Sequence, residues 1–277
     1  MNNTLNATIF ASDKRFYTVA VLLSRANFKC SILTPESNDI CESVKNANIV
    51  ILPIPAFDEN DCVFAKIHVD KLFSCLKSGT KVFAGKVSPI ITRLAKEYNL
   101  SIYDYASREE FSILNAVPTA EGSIITYIDM SKTTVSGEKF AVLGYGKVGR
   151  ALAPRLKTLG GEVYVAARSP ISLANVESDG LTPIDFNRYI KDPITVDAVF
   201  NTIPSPVITD EVAYKLKDAY LIDLASKPGG ATENAKKILG NKYVNALSLP
   251  GRFFPDTGGE IIYKTIIGIL SEGDIQI

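Results

Sequence analysis

The run Ala141-Val142-Leu143-Gly144-Tyr145-Gly146-Lys147-Val148-Gly149-Arg150 constrains this chain more than any other stretch. It sets Gly-x-Gly-x-x-Gly directly after an apolar, strand-like segment, Lys139–Leu143, and ahead of a segment with helical spacing. A second apolar run, Glu162–Ala167, follows at about the 20-residue separation of a βαβ unit. In that context each glycine has a physical task. Gly144 permits a tight turn, Gly146 lets the backbone approach a pyrophosphate, and Gly149 lets helix and strand pack closely. The helix N-terminus adds unpaired N–H groups and a partial positive charge. The loop therefore predicts a dinucleotide site built from Gly144, Tyr145, Gly146, Lys147, Val148 and Gly149. Pro154 is a misfit, because a proline that deep in the helix removes a hydrogen bond and predicts a kink.

The end of the second strand selects the cofactor. An enzyme that uses NAD places Asp or Glu there to hold the ribose 2′-hydroxyl. Here the strand runs out through Ala167 into Arg168-Ser169, with no acid. Arg168 can pair with a 2′-phosphate and Ser169 can donate to it, whereas a carboxylate would repel it. The expectation is NADP. Two later strand ends carry polar residues toward the same edge. Asn201-Thr202-Ile203-Pro204 is expected beside the ribose and nicotinamide. Leu224-Ala225-Ser226-Lys227 is followed by Pro228-Gly229-Gly230, where glycines allow close backbone approach.

The rest of the chain repeats an alternation of strand and helix, which implies mostly parallel sheets covered by helices. Strands are expected at 7–11, 30–33, 49–54, 81–84 and 101–105, then at 139–143, 162–167, 198–203, 219–224 and 243–246. Helices are expected at 15–27, 69–76 and 90–98, with Gly79 and Asn99 as stop signals. Pro118, read as a first helical residue, predicts a connecting helix over 118–131. A closing helix is expected over 259–277. The fold class is α/β with two lobes and a cleft between them. Residues 1–117 form an N-terminal flavodoxin-like domain closed by the last helix, and residues 132–258 form an NAD(P)-binding Rossmann domain.

Composition removes several function classes. Lys plus Arg and Asp plus Glu are 30 each, so the formal charge is zero, which argues against a nucleic-acid partner or a polybasic membrane patch. The one histidine, His68, strains any His-based triad or metal site, and it reads as a surface residue. No metal is expected. Cys30, Cys41, Cys62 and Cys75 contain no Cys-x-x-Cys pair and read as four thiols of a reducing compartment, although composition alone leaves a disulfide open. The N-terminus lacks the pattern of a signal peptide, and the apolar runs are too short to span a bilayer, so a cytoplasmic location is expected.

Five blocks together resemble the dipicolinate synthase A-subunit family. They are Asn115-Ala116-Val117-Pro118-Thr119-Ala120-Glu121-Gly122, the glycine loop, Asn201 to Ser205, Asp223 to Gly230, and Leu249-Pro250-Gly251. Asp13-Lys14-Arg15 looks like the family's Asp-x-Arg. The chain departs from the pattern at Arg252-Phe253-Phe254 and in the loop over 57–66. The resemblance implies a partner, the flavoprotein-like B subunit of dipicolinate synthase. It also implies oxidation of a dihydrodipicolinate-level intermediate to dipicolinate in the mother cell during sporulation. Aromatisation drives such a step, so orientation and modest proton handling suffice. Candidates for holding the small dicarboxylate are Arg15, Thr119, Ser226 and Lys227, together with the N-terminus of the Pro118 helix, and Lys227 is either such a clamp for carboxylate or phosphate or a general acid. Glu121, placed in the first turn of that helix, is either a dipole-capping carboxylate or a general base. A homo-oligomer is possible on this reading. The rival readings are another NADP oxidoreductase of shikimate-dehydrogenase-like build, whose Lys–Asp motif is not found, and a non-catalytic NADP-sensing module.

Overall fold

Strands that are apolar at nearly every position have to be covered on both faces, and the central strands of both sheets meet that demand, with residues 49–51 and 198–201 buried throughout. A computed structural model describes residues 4–272. The chain divides into two units, residues 1–115 with 254–277 and residues 116–253.

The first unit holds β1 (Asn6–Phe10), α1 (Arg15–Arg25), β2 (Lys29–Leu33), α2 (Ile40–Val44) and β3 (Ile49–Ile51). A two-stranded hairpin, β4 (Cys62–Val63) with β5 (Ile67–His68), leads to α3 (Val69–Ser74), β6 (Lys81–Ala84), α4 (Pro89–Glu97) and β7 (Ser101–Asp104). The main sheet is parallel, in the order β2-β1-β3-β6-β7. Leaving out the small hairpin, that is the flavodoxin order 2-1-3-4-5. Alternate residues feed opposite cores: Ile49 and Ile51 face one, Val50 and Leu52 the other. Helix α5 (Glu109–Ser131) carries the chain into the second unit, and α12 (Pro255–Glu272) returns to pack on α1. That packing is close, since a methyl group on Gly259 would fall 2.5 Å from the Arg15 carbonyl oxygen.

The second unit contains β8 (Lys139–Leu143), α6 (Lys147–Thr158), β9 (Glu162–Ala167), α7 (Pro170–Ser178), β10 (Thr182–Asp185) and α8 (Phe186–Lys191). It continues with β11 (Ala198–Asn201), α9 (Asp210–Lys215), β12 (Tyr220–Asp223), α10 (Glu233–Leu239), β13 (Tyr243–Asn245) and α11 (Leu249–Phe253). Its parallel sheet runs β10-β9-β8-β11-β12-β13, the dinucleotide-binding order 3-2-1-4-5-6. Phe140 and Val142 face one core, Ala141 and Leu143 the other. Side-chain caps start the helices where the sequence provides them. Ser88 and Ser169 each precede a proline at the first helical position, and Thr209 and Thr232 accept from the N–H three residues on.

Several expectations need correction. Pro118 does not begin a helix: α5 starts at Glu109 and runs through it. The anion site expected at a Pro118 helix N-terminus therefore does not exist, and Glu121 lies mid-helix. Pro154 likewise sits within an unbroken α6. Edge strand β10 escaped the sequence reading because Pro183 disguises it, and an edge position is where a sheet tolerates proline. Cys41 and Cys75 form a disulfide across 34 residues, so two of the four expected thiols are paired, leaving Cys30 and Cys62 free. The closing helix is described to Glu272, and the remaining residues of the expected 259–277 lie outside the described residues. His68 is exposed, and its Nδ1 accepts from the Asp70 N–H at the start of α3. Among the described residues, no helix is long and apolar enough to cross a membrane.

Candidate active site

The glycine loop sits at the carboxyl end of β8, where the strand order of the second unit reverses. Gly144 has φ +95°, the left-handed region that disfavours any side chain, and its N–H donates to Ala166 O at 2.9 Å. A methyl group there would meet Thr202 Oγ1 at 2.5 Å. At Gly149 it would fall 2.2 Å from Gly144 O. Gly146, at the start of α6, is different: among the described residues beyond its own chain neighbours, none lies within 4 Å of where its Cβ would stand. That position is open on the ligand side of the loop, and the bare N-terminus of α6 follows it. These residues fit a dinucleotide pyrophosphate.

The remaining loop residues divide by task. Tyr145 is buried and its hydroxyl donates to Asp179 Oδ2 at 2.5 Å, which anchors the loop to the end of α7. Burial, with the Asp179 carboxylate as acceptor, pushes this phenol above its ordinary range, so it stays protonated as a donor. Arg150 lies over the Tyr145 ring at 5.4 Å. Lys147 is exposed and Val148 half-buried on the first turn of α6.

At the end of β9, Ala167 is buried while Arg168 and Ser169 are exposed. Arg168 lies over the Phe186 ring, 4.6 Å from its centroid. Ser169 caps α7, accepting from Ser172 N at 3.0 Å and donating to Ser172 Oγ at 2.8 Å. The Ser169 hydroxyl, expected to donate to a 2′-phosphate, is thus committed to the start of α7, and the exposed group at this end of the unit is the Arg168 guanidinium.

The ends of β11 and β12 are closed by internal hydrogen bonds. Asn201 is fully buried, and its Nδ2 donates to Asp223 Oδ1 at 2.9 Å and to Ile203 O at 3.1 Å. Its amide shapes the strand end and does not point outward, which corrects the reading of this side chain as a direct cofactor contact. Thr202 donates through both its N–H and its hydroxyl to Leu143 O, tying β11 to β8 beneath the glycine turn. Ile203 is half-buried against Gly144, and Pro204 is exposed beyond it.

Asp223, also fully buried, accepts from Asn201, from Ala225 N at 3.2 Å, from Gly230 N at 2.8 Å and from the Tyr243 hydroxyl at 3.4 Å. Burial and the neighbouring Asp223 charge push the Tyr243 hydroxyl up, keeping it a donor. A methyl on Gly230 would fall 1.7 Å from Asn201 Nδ2, so only glycine closes this knot. The result is a braced loop that displays Ser226 and Lys227 at the surface, with Leu224 half-buried and Ala225 buried at its root.

Sequence reasoning missed the parts played by Asp223 and Tyr243. The available signal was that Asn201 and Asp223 each end an apolar strand, and neighbouring parallel strands place them side by side.

The remaining candidates are placed differently. Thr119 is half-buried on α5. Glu121 Oε1 accepts from Arg155 Nε at 3.1 Å, and Arg155 also donates to Ala151 O at 2.7 Å. The Glu121 carboxylate braces α5 against α6, away from the exposed end of the glycine loop. Arg155 lies eight residues beyond Lys147, the first residue of α6. In the first unit, Arg15 is only 5% exposed and grips Asp13 through Nε at 2.9 Å and Nη2 at 2.7 Å. Burial raises the Asp13 pKa, but the hydrogen bonds and charge of Arg15 outweigh it and hold the carboxyl below its usual range. Arg15, expected to help hold the dicarboxylate, has its guanidinium engaged with Asp13.

Comparison with known proteins agrees with this architecture. Residues 13–106 match the N-terminal domain of the dipicolinate synthase A subunit, and residues 115–225 match the NAD binding domain of D-isomer specific 2-hydroxyacid dehydrogenases. The chain is 30% identical over 237 residues to the dipicolinate synthase A subunit of Bacillus subtilis (strain 168), covering 80% of this chain and 77% of that protein. The crystal structure of the dipicolinate synthase A subunit from Bacillus halodurans superposes with a TM-score of 0.83 at 26% identity, over 96% of this chain and 98% of that one. The corresponding dipicolinate synthase structure from Bacillus subtilis gives 0.81 at 24% identity, over 98% and 97%.

Proposed function

This chain belongs to the dipicolinate synthase A-subunit family, and on that premise we propose that it is the NADP-dependent subunit of a dipicolinate synthase. Its second unit is a nicotinamide-dinucleotide-binding domain of dehydrogenase type. The finer reading is oxidation of a dihydrodipicolinate-level intermediate to dipicolinate during sporulation, in the mother-cell cytoplasm, with the flavoprotein-like B subunit serving as partner. When bound, the nicotinamide supplies a hydride acceptor.

The observation that carries the cofactor choice is the end of β9. Arg168 faces solvent next to the start of α7 where an acid would select NAD. Gly146 leaves room for the pyrophosphate, and the Thr202–Pro204 edge lies next to the glycine turn. The substrate's two carboxylates call for cations and hydroxyls. Lys227 and Ser226, held out by the Asp223 knot, and Thr119 on α5 are the residues we assign to them. Glu121, paired with Arg155, is assigned a positioning role on α5 in place of a general base.

The test mixes this chain, its flavoprotein-like partner, dihydrodipicolinate and NADP, and follows dipicolinate and NADPH by absorbance. Both products are expected to rise together and to need this chain. Dipicolinate formation by the partner alone at an unchanged rate would overturn the reading.

A further inference from the structure

Arg168 follows the last residue of β9, and in the parallel register Ala167 lies opposite Asp185 of β10. The next residue on each strand is thereby brought side by side, Arg168 on one and Phe186 on the other. Phe186 is 4% exposed and packs into the core with Ala166, Tyr189 and Val196. Its ring is therefore a fixed surface, whereas Arg168 is exposed. The guanidinium carbon stands 4.6 Å from that ring's centroid.

We propose that Phe186 is the positioning residue for cofactor choice: its ring seats the Arg168 guanidinium so that the in-plane N–H donors are presented to a 2′-phosphate. This rests on the NADP reading above. A long exposed arginine loses much rotamer freedom when it clamps a ligand, and an aromatic face that already restrains it reduces that loss. Stacking uses the guanidinium face and leaves the donor edge available, which suits bidentate phosphate binding. The nearest strand-end acid does not compete. Asp185 Oδ1 accepts from Arg188 N at 2.9 Å, so this carboxylate caps α8. NAD has no phosphate at that position, and its binding does not depend on how Arg168 is held.

The experiment measures NADP and NAD dissociation constants by calorimetry on the full chain. Phe186→Leu keeps an apolar side chain of similar bulk and removes the aromatic face. It is expected to weaken NADP binding about fivefold while NAD stays within about twofold. Phe186→Tyr restores the preference, and in an Arg168→Ala background Phe186→Leu has no further effect. Phe186→Met serves if the leucine variant unfolds, with the same expectation. Unchanged NADP affinity, or an equal loss for both cofactors, overturns the inference while Arg168→Ala still abolishes the preference. Equal NADP and NAD affinity in the wild-type chain, with Arg168→Ala silent, overturns the NADP reading itself and this inference with it.

Discussion

Both units turn from strand to helix at the point where their strand order reverses, and they treat that turn in opposite ways. In the second unit the turn after β8 is built from glycines, and the Gly146 position is left open at the N-terminus of α6. In the first unit the turn after β1 carries Asp13 and Arg15. The Asp13 carboxylate accepts from the Arg15 N–H at 3.0 Å as α1 begins, and the Arg15 side chain folds back onto the same carboxylate. The helix N-terminus that could hold an external anion is served there by an internal one. Helix α12 then packs against α1 through Gly259. A shared α/β topology therefore does not make two equivalent nucleotide sites. The difference lies in whether the turn supplies an empty cradle or its own anion.

The strongest way to break this comparison is Gly149→Ala. The added methyl would fall 2.2 Å from a backbone oxygen, so the loop must deform. A stability loss of about 3 kcal/mol is expected, as for overpacking against a rigid neighbour, together with loss of measurable cofactor binding. Thermal unfolding and calorimetry read both, and a stable variant that binds normally would show that the close approach at Gly149 is unimportant. Arg15→Ala comes next. It strands a half-buried carboxylate, empties a buried side-chain position and is expected to cost about 2 kcal/mol. The value stays moderate because the Asp13 side chain is 31% exposed. Cofactor affinity should stay within about twofold in this variant, since the binding loop belongs to the other unit. A tenfold loss would contradict the separation.

Gly146→Ala sharpens the contrast further. Among the described residues no atom beyond the chain neighbours waits near the new methyl group, so stability should change by under about 0.5 kcal/mol. Pyrophosphate binding should nevertheless weaken about tenfold, roughly 1.4 kcal/mol, because the methyl enters the ligand's space. A variant that binds as well as wild type would mean that the pyrophosphate lies elsewhere.

The sequence made the open turn legible and left the closed one obscure, for physical reasons. A glycine requirement is written in the residue itself, because few others adopt φ +95° or survive a 2.2 Å approach. Arg15 and Asp13 are equally visible as letters, but whether they bind a ligand or each other depends on burial and on a third element, α12, that arrives from the far end of the chain. Glu121 shows the same limit. Its residue type suits proton transfer, and only the packing of α5 on α6 reveals that Arg155 holds it. Pro118 misled in another way, since a local rule for helix starts met a helix long enough to run through the proline. Strand identity is well legible in the central strands, where apolar residues run almost unbroken, and poorly legible at edge strand β10.

The smallest expected effect concerns acid. The folded-state pKa of Asp13 lies below its ordinary value, so in the folded protein this carboxyl stays ionised to lower pH than in the unfolded chain. Its contribution is therefore fully present above about pH 4, the ordinary range for Asp, and fades as pH falls through the folded value. Solvent reaches the carboxylate and screens it, so the contribution should be under about 1 kcal/mol. Urea unfolding of wild type and Asp13→Asn at a series of pH values isolates it. The gap in stability between the two should be widest near neutral pH and narrow below about pH 4. A gap that stays constant across that range would mean that the charge on Asp13 contributes nothing. The closed turn would then be held by shape and by the Arg15 packing alone, and the contrast with the glycine turn would be one of volume, without an electrostatic component.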